Sequence, residues 1–213
     1  RSPTVLEFRR VLFRSYGEQN NAAHVNTISD CHNRGSLTSQ NSVFGIMGHS
    51  EVNNGLVVSR CSNSGDLSGG KAGGVVGDFN GKGNGEQFII IDSCFNSGSV
   101  SAKNAAGGII ASKGNVAESI INCYNTGSVT STSESYAGGL VAAARLFYGE
   151  LTTARSYNSG TVTSSSYAGG ILGYFQNFKN RDPANIGGIF LEGSAQNGIG
   201  ADQIGRASCR ERV

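Results

Sequence analysis

Four cysteines recur along the chain at Cys31, Cys61, Cys94 and Cys123, separated by 30, 33 and 29 residues. Zinc sites draw thiolate ligands from close pairs such as Cys-x2-Cys, and these spacings are far longer. Each cysteine opens the same heptapeptide, Cys-x-Asn-x-Gly-x-aliphatic, which places Asn33, Asn63, Asn96 and Asn125 two residues further on. A fifth copy puts Ser156 in the cysteine position and carries Asn158. One cysteine per repeat unit reads as an inward column of small side chains, with Ser156 continuing it. Adjacent units would also bring paired Cα atoms into disulfide range, so a cross-rung bridge is a second reading and a metal a third. The asparagines read as a ladder, their amides bonding along the column and to corner backbone.

Nothing else in the chain assembles a reaction centre. The histidines are His24, His32 and His49. Cys31 and His32 are neighbours, and successive strand residues face opposite ways, so they do not pair as nucleophile and base. No acid–base carboxylate pair is recognisable. The expectation is a non-enzyme with no catalytic residue and no cofactor. Gly65-Asp66-Leu67-Ser68-Gly69-Gly70-Lys71-Ala72 approximates a phosphate-binding loop, but Ala72 stands where Ser or Thr must reach Mg²⁺. Asp78, Asn80 and Glu86 sit in a segment resembling a Ca²⁺ loop. Lys82 fills a ligand slot there and Ile89 the place of the bidentate Glu, which favours a plain polar loop over this weak calcium candidate. The residue between Cys and Asn is His32, Ser62, Phe95, Tyr124 and Tyr157 in turn. If it points outward, Phe95, Tyr124 and Tyr157 form a candidate contact strip for sugar or protein; corner packing is the plainer reading.

Composition says what must position these residues. The chain has 213 residues, with 32 Gly, 2 Pro and no Trp, and it is 38% hydrophobic and 15% charged. Low charge argues against ordinary disorder. The glycines are not spaced every third residue, which excludes collagen. No apolar run approaches the length of a membrane span. What remains is a turn-rich, strand-rich repeat protein.

Both ends read as foreign. Residues 6–15, Leu-Glu-Phe-Arg-Arg-Val-Leu-Phe-Arg-Ser, resemble a translated short-read sequencing adapter, and residues 204–213, Ile-Gly-Arg-Ala-Ser-Cys-Arg-Glu-Arg-Val, the translated reverse complement of its partner adapter. The expected organisation is therefore 1–15 adapter-derived, 16–203 a repeat domain truncated at both ends, and 204–213 adapter-derived. Setting the two ends aside removes seven of 17 basic and two of 15 acidic residues, leaving 10 against 13, a net charge of −3 rather than +2. The basic balance that would suggest a nucleic-acid partner disappears with the ends.

A second signature alternates with the first. Gly-Gly-aliphatic-aliphatic-small occurs at Gly73–Gly77, Gly107–Ala111, Gly138–Ala142 and Gly169–Gly173. Degenerate copies stand at Phe44–Gly48 and Gly187–Leu191. Both signatures share a period near 31 residues, the mark of a repeat architecture. Each unit reads as three short strands: one before the Cys, one after Asn-x-Gly, and the Gly-Gly-aliphatic pair. Asn-x-Gly suits a corner with positive φ. One unit cannot bury its own apolar face, so the units must stack. The predicted fold is all-β, a right-handed parallel β-helix of about five to six turns of ~31 residues. Loops 48–55, 78–87, 112–119 and 143–151 vary between copies and are where specificity would be sought.

The alternation of Cys-Tyr-Asn-Thr-Gly-Ser-Val-type segments with Gly-Gly-Leu-Val-Ala-type pentads over most of residues 25–191 resembles the GLUG-motif repeats of bacterial surface proteins. Ala111, Ala142, Leu191 and Phe44 depart from the pattern. The resemblance implies an extracellular or cell-surface location and a stalk or adhesin-like role, with an extracellular protein or glycan as partner. It also implies occasional fusion to secreted peptidases that cleave immunoglobulin A. The alternative functions are an accessory repeat region of such a peptidase or, from the strip Phe95, Tyr124 and Tyr157, a carbohydrate-binding solenoid. The family supplies no catalytic residues.

Overall fold

The computed structural model describes residues 25–52, 55–81, 87–113, 116–133, 136–146 and 150–177, together with strand backbone at 189–195, 199–200, 203–204 and 208–210. The described residues contain strands and bends but no helix. Within the winding, every strand pair is parallel, and each strand lies on its counterpart one repeat away. The molecule is a β-solenoid.

Three sheets run along it. The first is built from the strands before each Cys: Val25–Ser29, Gly55–Ser59, Phe88–Asp92, Ala117–Ile121 and Leu151–Asn158. It also takes in short Cys-x-Asn pieces such as Phe95–Asn96 and Tyr124–Asn125. The second holds the strands after Asn-x-Gly, among them Leu67–Gly73, Val100–Gly107 and Val129–Ser131. The third stacks Met47–Val52, Val76–Gly81, Ile110–Lys113, Val141–Leu146 and Leu172–Asn177. Period-two alternation drives these choices: in Phe88–Asp92, Ile89 and Ile91 are buried while Phe88, Ile90 and Asp92 are half-exposed.

Two apolar cores result. The larger joins the first and third sheets through residues such as Val58, Ile91, Ile109, Ile110 and Leu140. The smaller lies within the second sheet, where Leu67, Val100, Val129 and Val162 pack with Ala72, Ala106 and Ala137. An interior column of the first sheet runs Leu56, Ile89, Glu118, Leu151. Glu118 is thus a carboxyl side chain buried to 1% exposure among aliphatic neighbours; it shares the inward face of its strand with Ile120, where its polarity alone would have sent it to solvent.

The turn count needs correction. The solenoid winds about four turns, with five rungs in the third sheet, rather than five to six. Strand Ile189–Ala195 does stack in parallel on Leu151–Asn158, but its other neighbour, Ser208–Arg210, is antiparallel. The last Gly-Gly, at 187–188, falls outside the described residues.

The Gly-Gly step is not a strand but the bend that carries the chain from the second sheet, ending at Gly73, to the third, starting at Val76. Positive φ is not at Asn-x-Gly either. It falls on the residue before each cysteine position: Asp30 (57°), Arg60 (52°), Ser93 (55°), Asn122 (53°) and Arg155 (49°). Gly98 of Asn-x-Gly is required for a different reason, since a Cβ there would run into the carbonyl oxygen of Gly65 one turn away.

Candidate functional site

The five asparagines form one continuous ladder. Each Nδ2 donates to the Oδ1 one turn on: Asn33 to Asn63 at 2.6 Å, then Asn63 to Asn96, Asn96 to Asn125 and Asn125 to Asn158, each at 2.7 Å. The second hydrogen of the same amide goes to the glycine carbonyl two residues ahead, as from Asn96 to Gly98 at 2.8 Å. All five side chains are buried. Burying an amide is favourable only when its donors and acceptors are met, and the regular stacking of turns meets them.

Cys31, Cys61, Cys94 and Cys123 are buried free thiols, with Ser156 next in the file. They do more than fill space. The backbone N–H of Cys61 donates to Cys94 Sγ and that of Cys94 to Cys123 Sγ, both at 3.4 Å, and that of Cys123 donates to Ser156 Oγ at 3.1 Å. Each thiol in turn donates to the carbonyl two residues back, such as Cys61 to Ser59 at 3.2 Å; Ser156 does the same to Ala154 at 2.9 Å. The corner frees an N–H from the sheet, and the next side chain in the file accepts it. That role explains why Ser replaces Cys here and why an aliphatic residue does not.

Three of these thiols, Cys31, Cys61 and Cys94, are held protonated. Burial pushes Cys31 up to about 11. The neighbouring Cys94 thiol, then burial, raises Cys61, and Cys123 acts likewise on Cys94. A raised thiol is a poor nucleophile and a poor metal ligand. Among the described residues, no three His, Cys, Asp or Glu side chains are placed to hold a metal ion.

Of the calcium candidates, Asp78 has its Oδ2 2.7 Å from Lys71 Nζ. The Asn80 side chain and Glu86 lie outside the described residues. The phosphate-loop look-alike is strand in the second sheet, with Lys71 turned to that aspartate. His32 Nδ1 lies 2.7 Å from Ser62 Oγ.

Phe95, Tyr124 and Tyr157 stand on the outside as a stack. Ring centroids are 4.9 Å apart for Phe95–Tyr124 and 5.3 Å for Tyr124–Tyr157, with interplanar angles of 2° and 6°. The faces of Tyr124 therefore meet its neighbours, and the strip presents ring edges and phenols outward. Burial raises the Tyr124 phenol above its ordinary value. Alongside run hydroxyl columns in the same register: Ser99, Ser128 and Thr161 are exposed, and Ser101, Thr130 and Thr163 pair directly across the turns.

Two features escaped sequence reasoning. Tyr136, Tyr167 and Tyr174 cluster with centroid separations of 4.2 to 5.8 Å; the repeated Tyr-Ala-Gly-Gly at 136–139 and 167–170 was the available signal. The positive-φ corners also carry a polar file, with Arg60 bridging Asp30 at 2.7 Å and Asn122 joined to both Asp92 and Arg155 at 2.8 Å. The corner residue changes from each turn to the next, so only the stacking reveals it.

No protein-family model and no curated protein matches the chain. A solved structure does: a Bacteroides ovatus protein described as a "putative immunoglobulin A1 protease", with a TM-score of 0.53 and 20% sequence identity. The match covers 80% of this chain and 53% of that one, so the chain spans about half the length of that protein. At this identity the likeness is one of fold. No helix among the described residues is long and apolar enough to cross a membrane.

Proposed function

We propose that this chain is a non-catalytic repeat region, a stiff spacer of the stalk or adhesin type, in a larger bacterial surface or secreted protein. One observation carries the reading: the residues with chemical potential are consumed by the scaffold. The asparagine amides bond to one another and to corner carbonyls, and the thiols serve as backbone acceptors and donors. What is left is a rod in which each turn is keyed to the next. Such quasi-one-dimensional stacking suits presentation of other domains at a distance. The GLUG-like alternation of motifs supports the surface location.

A second reading is supported by the likeness to the Bacteroides ovatus structure: an accessory repeat region of a secreted peptidase. Recovery of the uninterrupted reading frame by long-read sequencing of the source DNA tests both. Further repeats and an anchoring signal are expected for the spacer. A His-Glu-x-x-His zinc motif elsewhere in the frame would replace it with the peptidase reading.

A further inference from the structure

The outward positions of the last three Cys-x-Asn-x-Gly turns form an uncharged stretch of surface. Beginning at Phe95, Tyr124 and Tyr157, each turn presents an aromatic residue and then three hydroxyl residues at alternate positions, as in Tyr124, Thr126, Ser128 and Thr130. All twelve positions are described, all are exposed or half-exposed, and none carries a formal charge. Charged groups border it: Lys103 is the next exposed position beyond Ser101, and Asp66 Oδ1 accepts from the Ser99 N–H at 3.0 Å. In the earlier turns the same face is interrupted by Arg34 and Asp66.

Hydroxyls and phenols both donate and accept hydrogen bonds. A grid of them fits a partner that also offers both at a regular repeat. An uncharged face offers no complement to a polyanion or polycation. The repeat is set by the rungs: ring centroids step by 4.9 and 5.3 Å, close to the advance of one hexose in an extended β-linked chain. Because the rings cover each other's faces, a sugar meets their edges and the flanking hydroxyls. Each rung then contributes little, and binding builds only over several rungs.

We propose that this face binds a neutral, β-linked polysaccharide laid along the solenoid axis, one sugar per turn. The inference is independent of the spacer reading, which would stand unchanged if no glycan bound.

Affinity gel electrophoresis of the full chain through soluble neutral β-glucan tests it, with heparin as the polyanion and an immobilised serum protein as the protein partner. Retardation by the glucan is expected, with longer β-glucan oligomers competing better than short ones. Ser128→Glu, which places a charge at an exposed hydroxyl position, is expected to weaken retardation roughly tenfold or more. Glu150→Lys, an exposed change outside this face, is expected to leave it unchanged. Far-UV circular dichroism checks that both variants fold, and Tyr124→Ser supplies a second lesion in the strip. Absence of retardation by neutral glucan, equal retardation of folded Ser128→Glu, or stronger retention on heparin or on protein would each overturn the proposal.

Discussion

The side chain of Asn125 occupies the space that any side chain at Gly108 would need. A Cβ built on Gly108 would lie 2.6 Å from Asn125 Cγ, and it would also run into the carbonyl oxygen of Gly139. The same relationship joins Gly74 to Asn96 and Gly139 to Asn158. The two sequence signatures alternate because they interlock: the ladder amide of one turn packs into the glycine bend of the turn before it.

Gly108→Ala is therefore expected to destabilise the fold by about 1–3 kcal/mol or more, because both obstructing groups belong to the scaffold. Gly48→Ala is the matched control, since its Cβ would meet Phe44 at an ordinary 3.5 Å. Thermal unfolding followed by circular dichroism should separate the two clearly. Equal melting temperatures would mean that the bend adjusts.

Asn96→Ala removes the acceptor of Asn63 and the donor to both Asn125 and Gly98. Each polar group left unmet in a buried position costs about 1–3 kcal/mol. Urea unfolding should show a midpoint well below that of the parent chain. A neutral result would mean that water replaces the amide.

The cysteine file predicts an asymmetry between two small substitutions. Cys94→Ser keeps an acceptor for the Cys61 N–H, as Ser156 does for Cys123, and should change stability little. Cys94→Val fills similar space but strands that N–H, at a cost of about 1–3 kcal/mol. If Val were the better tolerated of the two, the file would be apolar packing alone.

The same thiols predict alkaline sensitivity. The folded state raises the Cys31 thiol from its ordinary 9.0 to about 11, and raises Cys61 and Cys94 as well. The folded chain then holds protons that the unfolded chain releases. The stabilising contribution is complete below the unfolded value and is lost as pH climbs through the folded one. The melting temperature should fall progressively above pH ~9, and less steeply when Cys31, Cys61 and Cys94 are all serine. Identical pH profiles would refute the linkage.

The corner before each cysteine predicts a conformational effect. Ser93 has φ of 55°, where a β-branched residue is strained by roughly 1–2 kcal/mol and glycine is relaxed. Ser93→Val should lower the melting temperature and Ser93→Gly should preserve or raise it. The reverse order would show that the corner rearranges.

Much of this was legible in the chain itself. Two motifs with one period, each too short to bury its own apolar residues, leave stacking as the outcome, and strand composition makes the stack β. The cysteine and asparagine positions came from that period without any coordinates. The chemistry of the cysteine file did not, because a thiol reads as a small apolar side chain until the orphaned N–H of a corner is seen to point at it. The corner was misplaced for a related reason. Asn and Gly are the residue types that tolerate positive φ most readily, yet the structure puts that conformation on Asp, Arg, Ser, Asn and Arg, and Arg60, Asn122 and Arg155 among them bond along the stack.

Sequence alone determined the period, the strand character and which residues come into register, because repetition makes neighbours of equivalent positions. Tertiary structure alone decided which way those residues face and what they touch. Glu118 turned inward, the aromatic faces closed on one another, and the glycine bends shaped themselves to the asparagine amides. Those outcomes depend on packing between turns about 30 residues apart in the chain, and local spacing carries no information about the space such turns leave between them.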